Sequence, residues 1–260
     1  MGKLALITGA TSGIGSAFAM KYAQMGYDLL ITGRRKEKIK NNAKNIRKKF
    51  NVQVEVYIIE LSNTKEVDNF IDYISDKKIS VLINNAGFGL FKNYHEEEIS
   101  KWENMLDVHV RVPMKLAHTV IPKMIEKNEG VIINVSSLNA FLVFPKISIY
   151  SSTKAFIKNF SEVLNMELKE KGIKVQTLCP GFTKSNFHEK MGIDISKRKG
   201  LLWMTSEKVV EKSIKCLEKS KVICIPGVGN KLMTFLLRLL PKNIYYKLMS
   251  KKFINEDINK

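Results

Sequence analysis

Cysteine, acidic residues and long apolar runs are all scarce in this sequence of 260 residues. The three cysteines, an odd count, lie far apart at Cys179, Cys216 and Cys224, each among apolar neighbours. This pattern argues against a disulfide framework or a zinc site, so we expect buried, reduced thiols, no bound metal and a cytoplasmic protein. No run approaches the ~20 apolar residues of a membrane span, and the first apolar run, Leu4–Ile7, is too short for a secretory signal.

The shortage of acidic residues leaves a strongly basic chain. It has 25 Asp and Glu against 43 Lys and Arg, a formal net charge of +18 and a pI near 9.7. Such a balance raises nucleic acid, an anionic membrane or a phosphorylated ligand as a partner. The sequence holds no RNA-recognition or zinc-finger pattern, so we expect no nucleic-acid partner. Only six of the basic residues are Arg, and most of the Lys is interpreted as solvated helix surface.

Short apolar runs alternate with longer amphipathic stretches along most of the chain. Runs rich in Ile, Val and Leu are typical of strands covered on both faces, as in a parallel sheet. We predict strands at 3–8, 27–32, 53–59, 80–84, 131–136, 173–179 and 221–225. We predict helices at 14–25, 35–50, 64–76, 100–127, 149–171 and 206–219.

This alternation predicts one doubly wound α/β domain over residues 1–227, with a seven-stranded parallel sheet and helices on both faces. No repeat, linker or change of composition marks a second domain within that range. Residues 228–260 lack strand character, and we predict a basic amphipathic extension of two short helices separated by Pro241.

The first predicted strand runs into a glycine-rich turn, Thr8–Gly15, that opens a helix. Glycines let the backbone approach a pyrophosphate, and the helix N-terminus offers free N–H groups and a positive dipole end. The spacing Gly-x3-Gly-x-Gly also suits an ordinary strand-to-helix connection, but its place after the first strand favours nucleotide binding. The residues expected to hold the phosphates are Gly9, Thr11, Ser12, Gly13, Ile14 and Gly15.

Two arginines, Arg34 and Arg35, stand where the second predicted strand ends. In a dinucleotide fold this strand end faces the adenosine ribose, where an acid binds the 2′-hydroxyl of NAD and an Arg accommodates a 2′-phosphate. The planar guanidinium can donate two hydrogen bonds to a phosphate at once. The pair therefore favours NADP(H) over NAD(H), although either Arg could simply begin a solvated basic helix.

Tyr150 and Lys154 lie four residues apart on one face of a predicted helix, and Ser137 follows the fifth predicted strand. A tyrosine with an ordinary pKa of ~10 is a poor base at neutral pH, and a neighbouring ammonium favours the phenolate. A Ser hydroxyl beside it could hydrogen-bond a substrate carbonyl. By itself, a Tyr-x3-Lys pair is also typical of an ordinary amphipathic helix.

Five motifs, in order, resemble the short-chain dehydrogenase/reductase family, in its single-domain branch of hydroxysteroid and 3-ketoacyl reductases. They are Thr8–Gly15, Asn84–Gly87, Ser137, the pair Tyr150 and Lys154, and Pro180–Gly181, and the resemblance covers roughly residues 1–227. It implies a Rossmann fold and an oxidoreductase that uses NADP(H) to interconvert a carbonyl and a secondary alcohol. The alternative is a nucleotide-binding sensor or scaffold on the same fold, which would be expected to lose part of the Ser, Tyr and Lys set.

The resemblance also implies roles for single residues. Tyr150 would be the general acid/base, Lys154 would bind the nicotinamide ribose and lower the pKa of Tyr150, and Ser137 would orient and polarise the carbonyl. Thr183 would lie near the nicotinamide carboxamide, and Glu60 stands where the family usually has an Asp at the adenine. The other residues implied at the cofactor are Leu61, Asn85, Ala86, Gly87, Pro180, Gly181 and Phe182.

His109 departs from the family pattern, which usually has an Asn on the fourth helix that holds a water in a proton relay to the Lys. Counted back from Pro122, that position falls on His109. Because His can both donate and accept hydrogen bonds, an altered relay and a buried structural His are both open. We include His109 among the candidate catalytic residues.

Apolar residues near the motifs predict a hydrophobic substrate, such as a steroid, an acyl chain or an aromatic ketone, although part of the set could pack in the core. They are Phe88, Leu90, Phe91, Leu138, Phe141, Leu142, Val143, Phe144, Phe187, Met191, Ile193, Leu201, Leu202, Trp203 and Met204.

The tail over residues 231–252 combines six basic residues with many apolar ones and no acid. A basic amphipathic segment can lie on an anionic membrane surface. Closure over the pocket or packing against another subunit is favoured here, because an apolar stripe usually meets protein. Family members are often dimers or tetramers, so we expect a homo-oligomer.

Overall fold

Seven parallel strands form the central sheet of the computed structural model, which describes residues 2–184 and 203–258. In chain order, the strands of the described residues are β1 (Leu4–Ile7), β2 (Asp28–Gly33), β3 (Val54–Ile58), β4 (Ile79–Asn84), β5 (Gly130–Val135), β6 (Ile173–Leu178), β7 (Thr183–Lys184), β8 (Met204–Thr205) and β9 (Ile223–Cys224). All of them except β7 and β8 belong to the central sheet. The sheet order is β3-β2-β1-β4-β5-β6-β9, which confirms the predicted seven-stranded parallel sheet. The pair β7 and β8 forms a separate two-stranded sheet that the sequence pattern did not predict, because two-residue strands carry no periodicity.

Helices pack on both faces of this sheet, as predicted. The α-helices of the described residues are α1 (Gly13–Gln24), α2 (Lys36–Phe50), α3 (Thr64–Ser75), α4 (Ile99–Leu106), α5 (Val112–Glu126), α6 (Ser148–Leu168), α7 (Ser206–Glu218), α8 (Val228–Leu239) and α9 (Lys242–Ile258). Of these, α1, α2 and α7 cover one face of the sheet, and α3, α5 and α6 cover the other. A π-helical turn, Asp107–Arg111, divides the single helix that we predicted over 100–127 into α4 and α5. The amphipathic pattern continues through this turn, so the sequence does not reveal it. Pro241 separates α8 from α9, as predicted.

Two apolar layers bury the sheet, and they explain the consecutive apolar residues of its inner strands. Consecutive side chains of a strand point to opposite faces. On β1, Leu6 packs in the layer formed with α3, α5 and α6, whereas Ile7 packs in the layer formed with α1, α2 and α7. Leu30 and Ile31 divide in the same way on β2, and all four side chains are fully buried. A strand covered on both faces favours apolar side chains at consecutive positions.

The candidate site lies where the winding of the sheet reverses. β1 lies between β2 and β4, so the chain first builds the sheet in one direction and then returns to build it in the other. In open α/β sheets, ligands bind outside the carboxyl ends of the strands at such a switch point. Four of the motif residues follow strand ends at this edge, namely Thr8, Arg34, Asn85 and Ser137.

A chain of buried amides fixes α6 beneath this edge. The Asn84 side-chain amide donates to Asn134 Oδ1 at 2.8 Å, and the Asn134 amide donates to Ser161 Oγ at 2.9 Å. These bonds join the ends of β4 and β5 to the middle of α6, and all three residues are buried. Hydrogen bonds between polar groups in a low-dielectric interior are strong enough to hold a specific geometry. The helix that carries Tyr150 and Lys154 is therefore held in a defined position against the sheet.

Candidate active site

The glycine turn packs directly against the loop that follows β4. Gly9 has φ +69°, and a Cβ there would lie 2.8 Å from Ala86 Cα. A Cβ on Gly15 would lie 2.4 Å from both Gly9 O and Asn85 Nδ2. Only glycine fits at either position, because one needs a left-handed backbone and both meet neighbouring atoms at contact distance. The two glycines therefore let the turn pack closely against the loop after β4 and the start of α1.

Thr8 and Asn85 hold these two loops together. Thr8 Oγ1 accepts the N–H groups of Asn85 and Ala86, each at 3.0 Å. The Asn85 amide in turn donates to Thr8 O at 2.9 Å and to Gly9 O at 3.2 Å. The Asn85 side chain thus supports the glycine turn. Thr8 was quoted in the glycine-rich motif but was not predicted as a site residue.

The two arginines at the end of β2 make different contacts. Arg35 Nη2 donates to Thr11 Oγ1 at 2.8 Å and to Ser12 Oγ at 2.9 Å, so its guanidinium lies against the glycine turn. Arg34 Nη1 pairs instead with the Glu60 carboxylate at 2.8 Å. Burial alone would raise the pKa of Glu60, but hydrogen bonds from Arg34 and Ser62 outweigh it and hold that pKa below its usual range. The predicted residues of this corner thus form two groups, Arg35 with Thr11 and Ser12, and Arg34 with Glu60.

Tyr150, Lys154 and Ser137 meet where β5 ends and α6 begins. Lys154 Nζ lies 5.6 Å from the centre of the Tyr150 ring and donates to Val135 O at 3.1 Å. The Ser137 side chain forms a hydrogen bond with Tyr150 and accepts the Asn139 N–H at 3.2 Å. Tyr150 and Lys154 are both more than nine-tenths buried. The predicted hydroxyl, phenol and ammonium therefore share one corner of the site.

Burial controls the charge of this group. It raises the pKa of Tyr150 to about 12, although the hydrogen bond with Ser137 acts in the opposite direction. Burial also lowers the pKa of Lys154 to about 8. The expectation that Lys154 brings the Tyr150 pKa below its ordinary value is therefore wrong for this structure, because desolvation of the phenol dominates. At neutral pH Tyr150 is a neutral phenol, which can donate a proton.

An apolar cluster surrounds Tyr150 and accounts for this desolvation. Tyr150 packs with Trp102, Met105 and Ile147, and partly buried apolar side chains lie against them. Those neighbours include Phe88, Leu90, Phe91 and Phe144, all from the predicted substrate set. Trp102 and Met105 were not predicted, since their positions on α4 follow ordinary helical spacing. Phe187, Met191, Ile193, Leu201 and Leu202 lie outside the described residues.

His109 lies in the π-helical turn and uses both ring nitrogens for protein contacts. The Phe88 N–H donates to Nε2 at 3.0 Å, so the proton of the neutral ring is on Nδ1. Nδ1 lies 3.1 Å from Thr153 Oγ1, which itself donates to Tyr150 O at 2.8 Å and so accepts from His109. Burial, helped by the positive charge of Lys154, holds the pKa of His109 well below its usual range. The ring is therefore a neutral bridge between the loop after β4 and α6.

The turn after β6 closes the other side of the site. Leu138 N–H donates to Pro180 O at 3.1 Å, and Thr183 Oγ1 donates to Gly181 O at 3.0 Å. Phe182 stacks on Trp203 with ring centres 5.0 Å apart. Gly181 packs against Asn230 of α8, whose side-chain atoms would lie 2.7 Å from a Cβ at that glycine. Asn230 was not predicted as a site residue, because nothing in the sequence of the tail indicates that it packs against Gly181.

Two predicted cofactor residues, Ile14 and Leu61, contribute mainly to the core. Ile14 is partly buried against the layer formed with α1, α2 and α7. Leu61 is buried in the opposite layer. Both residues were predicted at the cofactor, and both also stabilise the fold through apolar packing.

The sheet order and the glycine turn define a Rossmann-type nucleotide-binding protein. A family model described as short chain dehydrogenase matches residues 3–195. The chain therefore belongs to the short-chain dehydrogenase/reductase family, which confirms the resemblance in the motifs.

Relatives with known sequence or structure are similar over most of this chain. A very-long-chain 3-oxoacyl-CoA reductase of Rattus norvegicus is 34% identical over 186 residues, which are 70% of this chain; the match spans only 60% of that curated relative. The structure is similar to a short-chain dehydrogenase from Sphingobium yanoikuyae in complex with NADPH, with TM-score 0.82, 27% identity and coverage of 92% and 96% of the two chains. It is also similar to a bulky-bulky ketone specific alcohol dehydrogenase from Comamonas testosteroni, with TM-score 0.79, 25% identity and coverage of 92% and 95%.

Proposed function

We propose that this protein is an NADP(H)-dependent oxidoreductase that interconverts a carbonyl and a secondary alcohol on a hydrophobic substrate. The observation that carries the proposal is the grouping of Tyr150, Lys154 and Ser137 in an apolar corner of a family-typical nucleotide-binding fold. The reaction needs a proton donor, a group that polarises the carbonyl and a bound hydride donor. The first two are supplied by side chains of this corner, and a nicotinamide cofactor supplies the hydride.

The residues at the glycine turn fit such a cofactor. Gly9 and Gly15 let the turn pack against the loop after β4, where any side chain would overlap neighbouring protein atoms. The Ser12 hydroxyl bonds to Arg35, and the first turn of α1 carries no acid, so the helix N-terminus suits a pyrophosphate. Thr11 Oγ1, Ser12 Oγ and the Arg35 guanidinium form a group of donors that fits a 2′-phosphate. NADP(H) is therefore favoured over NAD(H).

Each side chain of the apolar corner has a distinct part in this proposal. The Tyr150 hydroxyl donates its proton to the substrate carbonyl oxygen during reduction and takes it back during oxidation. The Ser137 hydroxyl hydrogen-bonds the same oxygen and polarises the carbonyl. The Lys154 ammonium binds the nicotinamide ribose. Because burial raises its pKa, Tyr150 in the free site is the protonated phenol that the reducing direction requires.

The substrate class follows from the surroundings of Tyr150. Phe88, Leu90, Phe91 and Phe144 pack around the corner and contribute no charge. An apolar site of this kind binds an apolar group next to the reacting carbonyl, as in a steroid, an acyl thioester or an aromatic ketone. The names of the similar proteins, a 3-oxoacyl-CoA reductase and a bulky-ketone dehydrogenase, support this class.

A spectrophotometric screen tests the proposal. NADPH oxidation is followed against steroid ketones, 3-ketoacyl thioesters and small aromatic ketones, with Tyr150→Phe measured in parallel. We expect turnover of at least one apolar ketone and its loss in Tyr150→Phe. Tight NADPH binding without turnover of any ketone would instead support a nucleotide-binding sensor. Equal turnover by Tyr150→Phe would contradict the assigned proton donor.

A further inference from the structure

The helix α8 has its apolar face toward solvent. Five large apolar side chains on it are between 52% and 82% exposed, namely Val228, Leu232, Phe235, Leu236 and Leu239. Their spacing follows the helical repeat, so they form one continuous stripe along α8. Most surface helices bury such an apolar stripe against the protein. Single exposed apolar residues are common, but a continuous exposed stripe marks an interaction surface.

The opposite face of α8 is turned inward, where the half-buried Met233 and Leu237 lie beside two enclosed polar side chains. Asn230 and Thr234 are the fully enclosed residues of this helix, exposed by only 1% and 2%. The Asn230 amide donates to Pro226 O at 2.9 Å, and Thr234 Oγ1 donates to Asn230 O at 2.8 Å. Asn230 also packs against Gly181 in the turn after β6. The helix is thus anchored to the body of the protein by this inward face, which leaves the apolar stripe outside.

The helix α9 extends this surface beyond Pro241. Its Ile244 and Leu248, one helical turn apart, are each about half exposed. Tyr245 between them is buried, and its hydroxyl donates to Val143 O at 2.8 Å. One anchored tyrosine therefore holds α9 against the loop after β5 while its neighbours face outward. We call the exposed faces of α8 and α9 together the tail surface.

The charge of α8, and of α9 as far as Asn255, is of one sign. Residues 219–255 contain no Asp or Glu. Four basic side chains of the two helices are exposed, namely Lys231, Arg238, Lys242 and Lys247. A second copy of this chain carries the same net charge of +18, so joining two such surfaces would bring like charges together. An anionic surface has the complementary charge.

We infer that the tail surface binds an anionic phospholipid bilayer. An interfacial helix places apolar side chains at the boundary of headgroups and acyl chains and its cations at the phosphates, which is the arrangement on α8. Within residues 2–184 and 203–258, none of the helices has the length and apolarity needed to cross a bilayer, so the association is peripheral. The sequence favoured closure over the pocket or packing against another subunit for this segment; in the structure the stripe is exposed and does not close over the pocket.

Vesicle co-sedimentation of the full chain tests this inference. The probes are phosphatidylcholine vesicles with and without roughly a third of phosphatidylglycerol, at low salt and near 0.15 M salt. We expect binding to the anionic vesicles that weakens with salt, and at least about ten-fold weaker binding to phosphatidylcholine alone. Binding needs no turnover, so the result is independent of the proposed oxidoreductase activity.

Two variants assign the binding to the tail surface. The first variant removes exposed apolar area by combining Leu232→Ser, Phe235→Ser and Leu239→Ser. We expect it to bind anionic vesicles at least about ten-fold more weakly than the wild type, with unchanged thermal unfolding. The matched control is Val163→Ser with Met166→Ser, since these apolar residues of α6 are equally exposed, and it should bind like the wild type.

Three outcomes would overturn the inference. The first is a wild-type chain that stays in the supernatant with anionic vesicles. The second is a Leu232, Phe235 and Leu239 variant that binds as well as the wild type does. The third is a change of oligomeric state in that variant, measured by sedimentation velocity, without any loss of vesicle binding. That last result would assign the surface to a second copy of the chain.

Discussion

His109 Nδ1 lies 3.1 Å from Thr153 Oγ1, and this contact ties the π-helical turn to the helix that carries Tyr150 and Lys154. The other ring nitrogen accepts the Phe88 N–H at 3.0 Å. Of the two interpretations that the sequence left open, this geometry favours the structural one, because neither ring nitrogen is available to a water of a relay.

The buried neutral His109 predicts a loss of stability in acid. In the unfolded chain its pKa lies near ~6.5, whereas the folded pKa is well below that value, so the unfolded state binds the extra proton as the pH falls. The free energy of unfolding should therefore decrease below pH ~6.5, by at most about 1.4 kcal/mol per pH unit from this residue. Urea unfolding of wild type and His109→Asn between pH 5 and 8 checks it, and an unchanged slope in the variant would count against the assignment.

The same variant tests the relay. If His109 moves no proton, His109→Asn should keep or raise turnover at neutral pH, as measured by steady-state NADPH oxidation. Circular dichroism and NADPH titration serve as controls for folding and cofactor binding. A collapse of turnover with both controls intact would give His109 a catalytic part of its own.

Tyr150→Phe should lower kcat for carbonyl reduction by about 10²–10⁴-fold, because the phenol is the proposed proton donor. NADPH affinity should stay near that of the wild type, since the lost hydroxyl faces the substrate oxygen. Steady-state kinetics and fluorescence titration of NADPH measure the two quantities. Tyr73→Phe on α3 is a matched control that should leave both unchanged.

Arg35→Ala should weaken NADPH binding by roughly 10- to 100-fold and leave NADH binding nearly unchanged, because a charged hydrogen-bond donor to the 2′-phosphate is lost. Glu60→Gln should have the opposite effect, up to about five-fold tighter NADPH binding, since it releases Arg34 from an exposed ion pair. Calorimetric titration with both cofactors measures these affinities. Lys38→Ala, an exposed cation on α2, is the control, and equal loss in that variant would mean that only net charge matters.

The pH profile of reduction should reflect Lys154. Burial lowers the pKa of Lys154 to about 8, so its ammonium is present below that pH and is lost above it, while Tyr150 stays protonated throughout. We expect kcat/KM for ketone reduction to fall above pH ~8. Lys154→Arg keeps its charge, so the fall should move to higher pH even if the overall rate is lower. A profile of unchanged shape in Lys154→Arg would assign the fall to another group.

Local patterns in the sequence were enough to predict the architecture. The apolar runs of β1 and β2 require cover on both faces, and a parallel sheet with helices on each side provides it. The glycine turn is equally local, since glycine permits the left-handed backbone that Gly9 adopts. The order of five motifs then identified the family, which the family model confirms.

Contacts between distant parts of the chain were decided only by the tertiary structure. The pairing of Arg34 with Glu60, the bridge from Phe88 through His109 to Thr153, and the packing of Asn230 on Gly181 all join residues that are remote in sequence. The raised pKa of Tyr150 belongs with them, because desolvation depends on neighbours from α4 and the loops around it.

In the tail, too, local sequence determines one part of the structure and tertiary packing determines the other. Its sequence determines an amphipathic basic helix, because helical spacing alone sets which side chains share a face. Which face of α8 turns inward depends on the residues of the body that it contacts. Asn230 packs against Gly181 at contact distance, and the apolar stripe is exposed to solvent. Periodicity describes the faces of an element, and only the packed fold decides where each face points.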